Sequence, residues 1–395
     1  MAALDMTAFD AMFKEIYPDG VPEEVAYRKH VFLELVPKAD DFEGDVLVLP
    51  LFYGGPAGRS ATLSTAITNE SPSKSKKFVL TIGQDYCSWS VDARTIYASR
   101  SNRGAFVSAR KKEADLALQS LGLSIAHALY DDGNASIAVV GSGTASPITL
   151  TNARDTRWFQ EGMVIIADDT ADGSSPRVGS GTVTTINEDT GVVAYTGTIT
   201  ALAVGDFIFA QGDVGGLKAK GLAAWLPLAA PSATLFFGVD RTVAPVKLAG
   251  TRIDTPTSGI RENVSTLLEL VSERGGMPDR VFMSPTNFNA LAKDTEATVL
   301  REQGGTAKFG FKAFEFEFSG GTAMVTADPD CPGNRAYALT MSSWMVHHLE
   351  PLPHIVRDDG RDGVRGATTD TIQMRARTWF QLGCEAPAWN GVCSL

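Results

Sequence analysis

SRSNRGAFVSARKKEADLALQSLGLSIAHALYDDGN, residues 99–134, is the stretch that decides how the rest of this chain is organised. Its apolar side chains recur at steps of three and four, at Ala114, Leu118, Leu121, Ile125, Ala128 and Leu129. That spacing predicts one apolar stripe along a helix of about 30 residues, about 45 Å long. Ser101 or Asn102 is expected to cap its start, and Gly133 with Asn134 to stop it.

The predicted helix has a basic first third, with residues Arg100, Arg103, Arg110, Lys111 and Lys112. Two interpretations remain open from the sequence alone. The helix is either a long element inside an ordinary core, or a spine across which strands from both flanks lie. The flanking sequences bear on that choice.

An extended hairpin is predicted immediately before the helix. DVLVLPLFY (45–53) and KFVLTIGQDYCSWSVD (77–92) are rich in β-formers and are predicted as strands. The segment between them is too long for a tight turn and is rich in Gly, Ser, Thr and Pro. We therefore expect a long hairpin with a flexible tip that is basic at Lys74, Lys76 and Lys77.

The first 44 residues contain short helical patterns interrupted by prolines. Their apolar residues are dense, but each piece is too short to form a core. An arm that packs on another surface and an ordinary N-terminal lobe both fit this pattern.

The segment 135–215 differs from both of its flanks. Short β-rich runs are separated by Gly and Asp at regular spacing, which indicates a small antiparallel barrel or sandwich. The chain then returns to mixed α/β patterns, with a helix in TSGIRENVSTLLELVSERGG and a strand in PDRVFMSP. Near the end, TIQMRARTWFQLG (371–383) alternates apolar and polar residues, as a half-buried strand along the long helix would.

Composition limits the classes of protein that fit. A length of 395 residues suggests two or three structural units, and 35 basic against 46 acidic residues give a net charge of −11. An acidic surface argues against direct packing on nucleic-acid phosphates. Neither a signal peptide nor an apolar run long enough to span a membrane is apparent, and the four cysteines form no CxxC motif. The sequence therefore favours a reducing cytoplasm.

No catalytic, cofactor or metal motif emerges from the sequence. His347 and His348 are adjacent on a predicted strand and must point to opposite faces, so we expect one packed and one solvated histidine. The DPDCPGN sequence (328–334) resembles a calcium loop only loosely, because it lacks the sixth-position Gly and the distal Glu, and a β-turn is favoured. We identify no catalytic residue, no cofactor and no metal ligand.

Several stretches nevertheless carry a family resemblance. GGMPDRVFMSPTNFNALAKD (275–294) resembles a helix–strand–helix passage, FGFKAFEF (309–316) a following strand, and AYALTMSSWMVHHLE with TIQMRARTWFQLGCEAPAW (336–350 and 371–389) a pair of closing strands. In this order they resemble the major capsid proteins of tailed phages, whose Hong Kong 97-type fold is shared with encapsulins. The resemblance covers residues 1–134 and 216–395 and rests on the order of elements.

The resemblance implies an α+β fold of the Hong Kong 97 type with an inserted all-β domain. The implied parts are an N-terminal arm (1–44), an extended hairpin (45–92), a peripheral domain with the spine helix (93–134), the inserted β-domain (135–215), an axial domain (216–345) and the closing strands of the peripheral domain (346–395).

The implied function is structural, not enzymatic. The chain would self-assemble as pentamers and hexamers into the icosahedral head of a tailed phage and enclose double-stranded DNA without reading its sequence. Expected partners are further copies of itself, a separate scaffolding protein, a portal and a decoration or cement protein. The expected location is the virion capsid, assembled in the host cytoplasm, with no membrane. An encapsulin-like compartment and another phage structural protein, such as a tail or tube protein, are the alternatives.

The resemblance also nominates subunit-interface residues. In the hairpin these are Leu63, Ile67 and the lysines Lys74, Lys76 and Lys77, which would lie over a neighbouring subunit. In an axial loop (294–308) they are Gly304 and Gly305. In a loop expected where three subunits meet, they are Arg357, Asp358, Asp359, Arg361, Asp362, Arg365 and Asp370. That last loop contains no Asn, so we expect ion pairs there, not a covalent crosslink. We also expect no N-terminal maturation cleavage and an outward-facing β-domain.

Overall fold

The computed structural model describes residues 30–42, 44, 46–98, 109–213, 215–256, 259–296, 314–356, 363–365 and 369–395. The chain divides into two compact units. The first comprises residues 1–30, 84–126 and 349–379, and the second residues 31–83, 127–348 and 380–395. Among the residues described, no helix combines the length and the apolarity that a membrane span requires.

The long helix is present as Ala109–Tyr130, which is 22 residues. The expected caps at Ser101 and Asn102 lie outside the described residues. The helix ends at Tyr130, and Gly133 follows with a φ of +88°, in the left-handed region that glycine tolerates best. The predicted stop at Gly133 is therefore close to the observed end.

In the first unit, strands pack on one face of this helix. Its shared core consists of Trp89, Val91, Ala117, Leu121, Met374 and Ala376. The strands of this unit are Gly83–Asp92 (except Gly83 itself), His354–Ile355, Val364–Arg365 and the first part of Thr371–Cys384. A short helix spans Ala93–Ala98. The spine interpretation of the helix is confirmed for this unit.

The strand Thr371–Cys384 shows the predicted alternation. Met374, Ala376, Thr378 and Phe380 are all buried, whereas Arg375 is exposed. In the first unit it pairs antiparallel with His354–Ile355 and Val364–Arg365. In the second unit its last residues pair antiparallel with Trp344–His348, which in turn pairs parallel with Lys38–Ala39.

A mixed six-stranded sheet forms the main core of the second unit. Its strands occur in the order Thr251–Ile253, Gly391–Ser394, Arg335–Leu339, Arg280–Met283, Gly321–Ala327, Phe314–Phe318. Helices Ile260–Glu273 and Pro285–Glu296 pack on it through Val264, Leu267, Leu268, Val271 and Leu291. Ser284 caps the second of these helices by accepting a hydrogen bond from Asn287 N at 3.3 Å, as predicted. Shorter helices span Val31–Leu35, Leu63–Thr68, Leu222–Trp225 and Pro245–Ala249.

The inserted segment is a closed six-stranded antiparallel barrel within the second unit. Its strands are Ala138–Ser142, Ile148–Leu150, Val164–Asp168, Gly179–Asn187, Val192–Ile199 and Phe207–Ala210. A 3₁₀ helix, Ala153–Trp158, lies outside the barrel wall. Aliphatic side chains fill the interior, including Val140, Ile148, Ile165, Val193 and Ile208. Of the two predicted options, barrel and sandwich, the barrel is correct.

Two element boundaries differ from the prediction. The stretch 77–92 is two strands, Lys74–Thr81 and Gly83–Asp92, not one. The break is at Ile82, and the second strand begins at Gly83, where a Cβ atom would lie 2.3 Å from the backbone nitrogen of Ala219, so only glycine fits. The predicted axial loop begins inside a helix that continues to Glu296, and residues 297–313 lie outside the described part of the chain.

Candidate assembly surfaces

The predicted hairpin is present as an antiparallel pair, Val46–Gly54 with Lys74–Thr81, in the second unit. The register runs from Val46 opposite Thr81 to Phe52 opposite Ser75, followed by a bulge before Gly54. A two-stranded sheet has little core of its own, so its side chains must find partners elsewhere.

The far end of the hairpin exposes large apolar side chains. Phe52 is 73% exposed, and Leu63 and Ile67 are 77% and 62% exposed. The predicted flexible tip contains the short helix Leu63–Thr68, none of whose residues is buried. Three large apolar groups exposed to water at one end of the hairpin indicate a contact surface.

The three lysines are exposed, but they do not lie at the tip. Lys74, Lys76 and Lys77 belong to the strand Lys74–Thr81, so the prediction of a basic tip was wrong. The Ser-Lys alternation continues the β-pattern of the strand and extends it by three residues. Lys76 lies near Asp240, whose pKa is lowered chiefly by hydrogen bonds from Thr242, with a smaller contribution from Lys76.

The base of the hairpin is held by an aromatic cluster. The Phe78 ring lies 5.1 Å from Trp225 and 6.2 Å from Phe236, between centroids. Val79 N donates to the carbonyl of Phe237 at 3.0 Å. Lys247 Nζ donates to the carbonyl of Tyr53 at 2.7 Å. The hairpin is therefore held near its base by the aromatic cluster and beside Phe52 by Lys247, while the side chains of Phe52, Leu63 and Ile67 stay exposed.

Of the other residues predicted to lie at subunit interfaces, the structure describes only Arg365 and Asp370. Arg365 is exposed on the strand Val364–Arg365. Asp370 is exposed, and its carbonyl accepts a hydrogen bond from Ala93 N at 2.9 Å. Outside the described residues lie Gly304, Gly305, Arg357, Asp358, Asp359, Arg361 and Asp362.

Of the two adjacent histidines, one is packed as predicted, but the other is not fully solvated. His347 is buried, and its Nδ1 lies 2.8 Å from both carboxylate oxygens of Asp41, whereas His348 is half-buried. In the part of the chain that the structure describes, no group of three His, Cys, Asp or Glu residues is arranged to hold a metal ion.

The loop 328–334 contains more than the predicted β-turn. The turn itself is present, since Cys331 N donates to the carbonyl of Asp328 at 3.2 Å. The Asp328 side chain is fully buried and accepts hydrogen bonds from three different segments. Sequence reasoning missed this, because an Asp-Pro pair after a strand is typical of any surface turn.

Comparisons with known proteins give a result only at the level of structure. No family model matches the sequence, and no curated protein matches it. The structure of a cyanophage A-1(L) capsid asymmetric unit aligns over 96% of both chains, at 12% identity and a TM-score of 0.57. The capsid of an empty GTA particle aligns over 100% of this chain and 99% of that one, at 9% identity and a TM-score of 0.52.

This chain has the fold of a phage capsid protein. A third structure, the holo-SrpI encapsulin complex from Synechococcus elongatus PCC 7942, aligns at 8% identity over 100% of this chain and 96% of that one. Its TM-score is 0.49. The capsid fold agrees with the resemblance seen in the sequence.

Proposed function

We propose that this chain is the major capsid protein of a tailed phage, a structural protein that assembles into a closed shell. The observation that carries the proposal is the end-to-end match, over 96% of both chains, to a phage capsid structure. The exposed apolar side chains at the end of the hairpin, Phe52, Leu63 and Ile67, support it, because another copy of the chain could bury them.

In the proposed shell, copies are grouped as pentamers and hexamers around double-stranded DNA. The hairpin contacts a neighbouring copy through Leu63 and Ile67, with Lys74, Lys76 and Lys77 beside acidic groups. Single exposed ion pairs contribute only about 0–1 kcal/mol each, so the apolar groups must contribute most of the contact.

The remaining proposed contacts belong to segments that continue beyond the described residues. The axial loop containing Gly304 and Gly305 gathers around the five-fold and six-fold axes. The loop from Arg357 to Asp370 forms ion pairs where three subunits meet, and Arg365→Ala is expected to lower particle stability without unfolding the subunit. The barrel faces outward. A scaffolding protein, a portal and a decoration protein complete the proposed set of partners.

Electron microscopy of the purified recombinant chain tests the proposal. We expect closed shells, or hexamers and pentamers that form shells when a scaffolding protein from the same phage is supplied. A chain that stays monomeric at micromolar concentration with that scaffold present would contradict it. Shells that enclose a cargo protein instead of DNA, when recovered from their native source, would favour the encapsulin-like alternative.

A further inference from the structure

The loop 328–334, DPDCPGN, is a meeting point of three segments of the second unit, and we call it the junction loop. Asp328 is completely buried. Its Oδ2 accepts hydrogen bonds from Phe32 N at 3.0 Å and from the Tyr130 hydroxyl at 2.7 Å, and its Oδ1 accepts one from Asp330 N at 2.9 Å. One carboxylate thus joins the start of the described chain, the end of the long helix and the loop itself.

Phe32 fixes the helix Val31–Leu35 to this point. Its ring is 1% exposed and lies 5.5 Å from the Tyr130 ring and 5.3 Å from the Phe282 ring, between centroids. The helix is only five residues long, so it depends on such contacts and not on its own hydrogen bonds. Within the second unit, the burial of Phe32 and its hydrogen bond to Asp328 therefore hold this helix in place.

The inserted barrel reaches the junction loop through Arg157. This residue belongs to the 3₁₀ helix Ala153–Trp158, and its guanidinium donates to the carbonyls of Pro329 and Asp330, the latter at 3.4 Å. The guanidinium carbon also lies 4.3 Å from the Trp158 ring centroid. Hydrogen bonds from a charged donor are stronger than neutral ones, and the stacked ring orients the guanidinium.

The surroundings of Arg157 make this contact important. A cavity of about 670 Å³ lies beside it, lined from the barrel side by Asp155 and Arg157 and from the other side by Tyr130, Asp330 and Arg335. The two sides are therefore not continuously packed there. Where a cavity separates the two sides, few packing contacts connect them. A displacement of the 3₁₀ helix is then passed to the junction loop mainly by the hydrogen bonds of Arg157.

We propose that Arg157 couples the inserted barrel to the anchorage of the helix Val31–Leu35, through the junction loop and Asp328. A displacement of the barrel would shift the carbonyls of residues 329 and 330, then the Asp328 carboxylate, and so release Phe32. Because coupling is reciprocal, loss of the Phe32 anchor would also loosen the 3₁₀ helix that carries Arg157. The coupling belongs to the single chain and does not depend on the proposed shell.

Hydrogen exchange on the unassembled chain tests the coupling. In Arg157→Met we expect the amides of residues 32–36 to exchange about tenfold faster, the factor that corresponds to about 1.4 kcal/mol. The barrel amides of Val183 and Gly205, which donate to Met163 and Val140, should keep their protection. Arg154→Met is the matched control, because Arg154 lies on the same 3₁₀ helix, lines the same cavity and is exposed.

Unchanged protection of residues 32–36 in Arg157→Met would overturn the proposal, as would an equal increase in Arg154→Met. If Arg157→Met unfolds the barrel, the test runs from the opposite side. Asp328→Asn should speed exchange of Phe159 N, which donates to the carbonyl of Thr156 at 3.0 Å, with the barrel strands still protected. No change at Phe159 in that variant would also overturn it.

Discussion

His127 is a half-buried histidine that makes stability depend on pH. Its ring packs edge-on against Trp158 at 4.7 Å between centroids. Burial, with smaller contributions from the positive charges of Arg157 and Lys218, lowers its pKa from 6.5 to about 4. Between pH 6.5 and 4 the unfolded chain therefore binds a proton that the folded chain does not, and the folded state loses stability as the pH falls.

We expect His127→Phe, which keeps an aromatic ring beside Trp158, to remove this loss. The difference between a pKa of 6.5 and one of about 4 corresponds to a maximum of about 3 kcal/mol in the free energy of unfolding. Asp155 acts in the opposite direction, because burial raises its pKa to about 6 and folding is then favoured by protonation. The free energy of unfolding in urea is measured at pH 7 and pH 4.5 for the unmodified chain and for His127→Phe. Asp155 is present in both, so its contribution cancels when the two pH dependences are subtracted. Identical pH dependence of the two proteins would refute the assignment to His127.

The hydrogen-bond partners of buried polar side chains could not be predicted from the sequence. Asn390 is fully buried, and its Oδ1 accepts hydrogen bonds from Thr340 N and Trp344 Nε1, both at 2.8 Å. Its Nδ2 donates to Ser343 Oγ at 2.9 Å. In the sequence, an Asn before a Gly indicates only a turn. Its partners lie about 50 residues away, and neither composition nor periodicity encodes such a distance.

The hairpin is the element on which the assembly proposal depends. Changing Phe52, Leu63 and Ile67 together to Ser is expected to leave the free energy of unfolding within about 1 kcal/mol, because all three are exposed. We expect the same variant to lose shell formation, as measured by light scattering and electron microscopy.

A matched control separates this surface from a general loss of apolar area. Val178, Val204 and Leu235 lie outside the hairpin and are 76%, 61% and 63% exposed. Their triple Ser variant should assemble normally. Assembly of the hairpin variant, or an equal defect in the control, would contradict the proposed contact.

Periodic elements could be predicted from sequence, and irregular ones could not. The stripe from Ala114 to Leu129 gave the long helix, and strict alternation from Ile372 to Phe380 gave the strand that packs beside it in the first unit. The hairpin connection, rich in Gly, Ser, Thr and Pro, predicts a flexible tip, yet Leu63–Thr68 is helical. The second of the two strands begins at Gly83, which Ala219 approaches closely, and no local pattern reveals that approach.

Considered as a whole, the molecule is acidic, and its net charge of −11 must oppose association of like copies. The Debye length, over which charges repel each other, is about 30 Å at 0.01 M salt and about 8 Å at 0.15 M. We therefore expect shell formation to increase between these two salt concentrations. If the loop from Arg357 to Asp370 forms the proposed ion pairs, particle stability should fall again towards 1 M.

Light scattering across that series measures both effects in one experiment. A matched series in Arg365→Ala should start from a lower particle stability and should lack the further decline at high salt. Shell formation that is greatest at 0.01 M would show that long-range repulsion does not limit association. The order of elements along the chain was enough to indicate the capsid fold, whereas these contacts between copies depend on surfaces that one sequence does not reveal.

The barrel begins and ends at neighbouring points. Its first strand, Ala138–Ser142, pairs with its last, Phe207–Ala210, and Val139 lies opposite Phe207. The two points at which the barrel joins the rest of the chain are therefore close together, and their separation does not depend on what is inserted between them. Such a site tolerates gain, loss or exchange of a module during evolution. It is also a suitable position for grafting a foreign domain whose own termini are close together, provided that the graft restores a donor for the carbonyls of Pro329 and Asp330.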